Sequence, residues 1–160
     1  RAGIRKALDL AKGKGIMRVL DVNLRPPFFD DDLIRHSLSL CSVFKLSDDE
    51  LEPVCRACDV PPGGVLEDSL RVIFEKYALE VLVMTKGAEG AVLLTADCQY
   101  EQPGVKAQVV DTVGAGDSFT AALTLGLLKK DPIPDLLLNA CEVASKKISC
   151  SSKPSRSVFR

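Results

Sequence analysis

DTVGAGDSFTAAL, residues 111–123, sets two acids on either side of a glycine-rich turn and then runs directly into a helical pattern. Beyond Gly114, the residues Phe119, Ala122, Leu123, Gly126 and Leu127 fall on one face, which predicts a helix over 115–129 that starts among the glycines. The first amides of such a helix have no acceptor inside it. Glycines beside them let an anion approach the backbone, and phosphate is the natural guest. Asp117 falls in the same first turn, where negative charge suits the helix dipole. A carboxylate beside a phosphate site can take the proton from a hydroxyl as that hydroxyl attacks phosphorus, and the amides can stabilise the charge that develops. The residues by themselves leave a second reading open: a glycine-rich turn with Asp117 as a helix cap.

Working outward, short apolar runs alternate with helical patterns. RVLDVN (18–23), VFKL (43–46), EVLVMT (80–85), AVLLTA (91–96) and VKAQVV (105–110) read as strands. Helices are predicted over 2–12, 30–40, about 65–77, 115–129 and 134–148, with PPGG (61–64) breaking the chain before the third. SDDE (47–50) fits a capping box, with Ser47 as N-cap and Glu50 at N3. The alternation implies an α/β fold, a mostly parallel sheet flanked by helices on both faces. Ligands of such sheets bind beyond the carboxyl ends of the strands. DVN, KLS, TKG and DTVGAGD all fall there.

Composition narrows the function. The 160 residues suffice for one domain with a real core, and 46% apolar with 27% charged residues is ordinary for a globular chain. The net charge of −1 provides no basic surplus for nucleic acid. No apolar run approaches a membrane span, and the amphipathic start RAGIRKALDLAKG lacks the apolar middle of a secretory signal. The six cysteines, with one CxxC pair at Cys55 and Cys58, are read as reduced thiols of a cytoplasmic protein. The chain opens at Arg1 inside a helical pattern, which is read as a fragment or processed chain whose targeting segment, organellar or none, would lie upstream.

DTVGAGDSFTAAL resembles the C-terminal signature DTxGAGDxF of the PfkB, or ribokinase-like, carbohydrate kinases, with every fixed position present. The resemblance implies a ribokinase-like fold, with Asp117 as catalytic base and substrate contact. It implies an anion hole from the amides of Gly114, Ala115 and Gly116. Asp111 and the carbonyl of Val113 would lie on a cation side, which adds a monovalent cation such as K+ to ATP and Mg2+ as cofactors. DVNLR (21–25) is similar to the family's DxNxR of fructokinase-like and ketodeoxygluconate-kinase-like members, which places Asn23 at the phosphates and Arg25 at substrate or phosphate. KLSDDE (45–50) is similar to NxxE, with Ser47 in place of Asn and Glu50 as the magnesium-positioning acid. TKGAEG (85–90) resembles the TxGxxG nucleotide loop, giving Thr85, Lys86, Gly87 and Gly90 as ATP contacts; a plain hairpin turn is the competing reading. Asn139 matches a helix position that touches adenine, with a polar surface residue as the alternative.

The similarity covers nearly the whole chain, as the C-terminal, nucleotide-binding half (residues 1–160) of a kinase domain. The sugar-binding glycine motifs and the small β-sheet lid of the family's N-terminal half have no counterpart in these residues. The tail ISCSSKPSRSVFR also lacks the family's Gly-Ala turn. The implied activity is γ-phosphoryl transfer from MgATP to a hydroxyl of a sugar, of the fructose or 2-keto-3-deoxygluconate class. A nucleoside kinase and a non-catalytic kinase-like binding or regulatory module are the alternatives. Expected partners are a small sugar and ATP, with no nucleic acid and no membrane, and a homo-oligomer as a candidate state. A dehydrogenase would need GxGxxG after the first strand, which is not present.

Overall fold

A computed structural model describes residues 2–60, 66–106 and 112–149. The chain divides into two compact units, Arg1–Gly104 and Val105–Arg160. The first unit runs α1 (Ala2–Gly13), β1 (Val19–Asp21), α2 (Asp31–Leu40), β2 (Val43–Ser47), α3 (Asp48–Ala57), α4 (Leu66–Lys76), β3 (Val81–Thr85), β4 (Gly90–Leu94) and β5 (Gln99–Pro103). The second holds α5 (Ala115–Lys129) and α6 (Ile133–Ser149).

The first unit is an α/β structure whose five strands lie in sequence order. β1, β2 and β3 pair in parallel, because each connection is long enough to carry a helix across the sheet. β3–β4 and β4–β5 pair antiparallel. The reason is length: Lys86–Glu89 and Thr95–Cys98 are too short for a crossover. The sheet is therefore mixed, parallel on one side and meandering on the other. β5, QYEQP, is a strand the apolar pattern does not announce; it is an edge strand with alternate residues exposed. The strand expected from VKAQVV falls largely outside the described residues, as does the PPGG break.

Because the strand order is sequential, the two crossovers run the same way. Right-handed connections then put their helices on one face. Ile34 and Leu38 of α2, Val54, Cys55 and Ala57 of α3, and Leu70, Ile73 and Phe74 of α4 share one cluster with Phe44, Leu46, Leu82, Met84, Val92 and Leu94 of the sheet. The alternate strand residues Val43, Val81, Val83, Ala91 and Leu93 are buried too, and β3 and β4, which carry no charged residue, read as unbroken apolar runs.

Local chemistry sets the helix starts. Asp30 caps α2 by accepting from the Leu33 N–H at 2.7 Å, and Asp31 and Asp32 occupy its first turn. Ser47 caps α3, with Glu50 closing the capping box. In the second unit α5 and α6 pack together; Phe119, Ala122, Leu123 and Gly126 are the buried residues of α5, and Leu136, Leu137, Ala140 and Cys141 those of α6. The Cα of Gly126 meets the Leu136 side chain so closely that an added Cβ would sit 2.9 Å from its Cγ. No helix among the described residues is long and apolar enough to cross a membrane.

Cys41, Cys55, Cys58 and Cys141 are free thiols in the core, and Cys98 is a free thiol on the surface. Burial pushes the Cys41 thiol up to about 12 and that of Cys141 to about 11. It raises Cys55 and Cys58 as well. Titration of the native chain with a thiol reagent is expected to label Cys98 first among these five, and the other four only with unfolding. Their thiols ionise later folded than unfolded, so stability is full below the ordinary thiol value of 9.0 and falls as pH rises from there toward about 12. Phe44 is fully buried at the centre of the cluster, and Phe44→Ala is expected to cost about 3–5 kcal/mol in urea unfolding.

Candidate active site

The carboxyl ends of β1, β2 and β3 end at one edge of the first unit, because parallel strands in register must finish together. Asp21, Ser47 and Thr85 are their last residues. Asp21 pairs in register with Lys45, whose Nζ lies 3.2 Å from Asp21 Oδ1. That lysine is only 6% exposed, and a buried ammonium needs such a partner. Sequence inspection did not single out this pair. Its signal was available only once the register of β1 and β2 was known.

The loop after β1 carries Asn23 and Arg25, both exposed. It is pinned on either side of Asn23. The Val22 N–H donates to the Lys45 carbonyl at 3.1 Å, continuing the β1–β2 ladder. The Leu24 N–H donates to Glu50 Oε1 at 2.8 Å. Between these two bonds Asn23 holds φ at +38°, in the left-handed region that asparagine tolerates better than most residues. Glu50 Oε2 accepts from the Ser47 N–H at 2.8 Å. The acid expected to position magnesium thus spends one lone pair of each oxygen on a backbone amide.

Thr85 stands beside Ser47 in the register and donates to the Leu46 carbonyl at 3.4 Å. TKGAEG is the hairpin between β3 and β4, so the turn reading is met; a turn is also compatible with a nucleotide lying along it. Its two glycines differ. Gly90 has φ +104°, and a Cβ there would fall 2.0 Å from the Gln102 carbonyl oxygen of β5. Strand packing alone accounts for it. Gly87, at φ +54°, faces open space. The Lys86 ammonium is paired with Glu101 across the sheet, so it is held by β5.

In the second unit Gly114 is the N-cap of α5 at φ +80°, a value only glycine adopts at little cost. An added Cβ would also meet Lys147 Cε at 3.3 Å. The Ala115 N–H closes back onto the Thr112 carbonyl at 3.2 Å, and the first α-turn forms from Ser118 to Gly114 at 2.9 Å. Of the three amides expected to form an anion hole, that of Ala115 therefore has a partner already. The second and third helical positions, Gly116 and Asp117, carry amides with no acceptor inside the helix. Asp117 is exposed in this first turn. Val113 is 74% exposed one residue before the cap, and Asn139 is exposed on α6. Asp111 lies outside the described residues.

Among the described residues there is no cluster of three or more metal-ligating side chains. Magnesium needs no such cluster, being commonly bound through one or two carboxylates, waters and the phosphates of a nucleotide.

The family model described as pfkB family carbohydrate kinase matches residues 2–156. The chain belongs to the pfkB carbohydrate kinase family. Among curated relatives, a fructokinase of Rhizobium leguminosarum bv. trifolii is 35% identical over 131 residues, covering 79% of this chain and 36% of the relative. An aminoimidazole riboside kinase of Salmonella typhimurium is 30% identical over 139 residues, covering 84% of this chain and 41% of the relative. Among solved structures, that of a protein described as a ribokinase II from E. coli in complex with ATP and Mg2+ superposes with a TM-score of 0.77 at 20% identity, over 92% of this chain and 47% of that one. The fold is thus ribokinase-like. The chain spans less than half the length of these relatives.

The two hairpin glycines of the pfkB-family chain yield a contrast measurable by urea unfolding. Gly90→Ala must move β5 as well as adopt a forbidden φ, and its cost is expected to reach about 3 kcal/mol or more. Gly87→Ala meets only the left-handed penalty, about 1–2 kcal/mol.

Proposed function

We propose that residues 1–160 are the C-terminal, nucleotide-binding part of an ATP-dependent kinase that transfers the γ-phosphoryl of MgATP to a sugar hydroxyl. The observation that carries this reading is the start of α5, where a left-handed Gly114 cap turns the chain so that Asp117 stands exposed in the first turn beside unshared amides. In the proposed mechanism Asp117 accepts the proton of the attacking hydroxyl. The amides of Gly116 and Asp117 stabilise negative charge on the phosphoryl group in transfer, and Gly114 leaves room for it. Asn23 and Arg25, exposed on the loop after β1, serve phosphate and sugar. Thr85 and the open turn at Gly87 serve the nucleotide, with Asn139 toward the base. Magnesium, when bound, would neutralise phosphate charge, and Glu50 is a described carboxylate that would face it. Asp111 and the Val113 carbonyl are the proposed cation side.

The fructokinase relative and the DVNLR loop support a fructose or 2-keto-3-deoxygluconate class of substrate. The aminoimidazole riboside kinase relative supports a riboside or nucleoside as the second reading. Five free thiols among the described residues support a reducing, cytoplasmic setting.

The experiment is phosphotransfer from ATP by the complete gene product, across a panel of ketoses, keto-deoxy sugar acids and ribosides. Asp117→Asn is expected to retain ATP binding, measured by calorimetry, and to lower turnover by roughly 10²–10⁴-fold. Turnover at the unsubstituted level would remove Asp117 as the base. A folded, unsubstituted protein inactive on every acceptor would favour a binding module.

A further inference from the structure

We infer that Glu50 is a positioning residue: its carboxylate clamps the Asn23–Arg25 loop to the start of α3 and holds Asn23 in its left-handed backbone state. A glutamate at N3 that served only as a cap would need a single oxygen, for the N-cap amide. Glu50 meets that need with Oε2, on Ser47 at 2.8 Å. Its other oxygen accepts from Leu24, a residue far away in sequence and outside α3, also at 2.8 Å. Both bonds are charge-assisted, the stronger kind. Both lie in a half-buried setting where an amide without an acceptor is costly.

The consequence falls on Asn23. The Leu24 side chain packs against the main core cluster while its amide is held by Glu50. Val22 packs there too and is tied to Lys45. Asn23 is the one residue between these two anchors. Its exposure and its φ of +38° are what the anchors leave to it. A non-glycine residue in that region persists when its surroundings over-determine it. Beyond Leu24, a further turn closes from the Phe28 N–H to the Arg25 carbonyl at 2.8 Å, so Arg25 leaves from the same fixed point. The lone pairs not used by the amides remain open to a metal-bound water, so clamp and metal roles are compatible, but the clamp exists without metal.

The clamp follows from geometry alone; its effect on phosphate binding rests on the kinase reading. The first measurement is residue-resolved amide exchange on this chain, with neither nucleotide nor magnesium. Glu50→Gln preserves a capping residue, so α3 and the fold are expected to persist. Its side chain has one acceptor oxygen where the carboxylate had two, so Leu24 or Ser47 must lose its partner. Exchange at one of them is expected to rise about tenfold or more, and at both in Glu50→Ala, with Val22 unchanged. Unchanged exchange at both in either variant would overturn the clamp.

The second measurement is a double-substitution cycle for ATP affinity in the complete gene product without magnesium, so that a metal role of Glu50 does not enter. Glu50→Gln and Asn23→Ala are each expected to weaken ATP binding, and the pair to bind no worse than Asn23→Ala alone, because Glu50 acts through Asn23. Additive losses would overturn the positioning role. If the unsubstituted protein bound no ATP, the kinase reading would fall while the exchange result still decided the clamp.

Discussion

Parallel pairing of β1, β2 and β3 is the constraint on which the first unit depends. Parallel neighbours cannot be joined by a tight turn, so every connection must climb over the sheet. Sequential strand order and right-handed crossovers bring α2, α3 and α4 onto one face, where their apolar sides close over Phe44, Leu46, Leu82 and Met84. The same pairing obliges the strands to end together. Polar loops that are far apart in the chain therefore meet at a single edge: the turn after Asp21, the cap at Ser47 and the hairpin after Thr85.

At that edge, ion pairs and hydrogen bonds decide what the polar side chains are free to do. Lys45 is committed to Asp21, Lys86 to Glu101, and Glu50 to two amides. Asn23, Arg25 and the turn at Gly87 are left facing outward. The second unit repeats the logic on a smaller scale. α5 can begin sharply because Gly114 accepts a left-handed backbone, and Asp117 is exposed because Phe119, Ala122 and Leu123 take the buried positions of the helix. The result is a left-handed cap beside an exposed carboxylate.

Much of this was legible in the residues. The runs read as strands at 18–23, 43–46, 80–85 and 91–96 overlap the observed β1 to β4, and in β3 and β4 burial of both sets of alternate residues keeps the run apolar. The helices predicted over 30–40, 115–129 and 134–148 begin and end within about a residue of the observed ones, because acids, glycines and caps mark helix ends locally. QYEQP was not legible, since an edge strand with exposed alternate residues needs no apolar signature. The change from parallel to antiparallel pairing at β4 follows from the short KGAEG link, for which a hairpin turn was one of the two readings.

Local sequence marked most of the elements, the caps of α2 and α3 and the pfkB signature around Asp117, because propensity, capping and glycine geometry act over a few residues. It marked Glu50 as an N3 acid of α3 for the same reason. Only tertiary structure decided that the second oxygen of Glu50 holds Leu24, that Lys45 answers Asp21, and that Gly90 is required by β5 while Gly87 is open. Each of those contacts joins segments that the chain separates and the sheet brings together. Their existence depends on strand register and on which crossover lies over which face, and neither is encoded in any short stretch of residues.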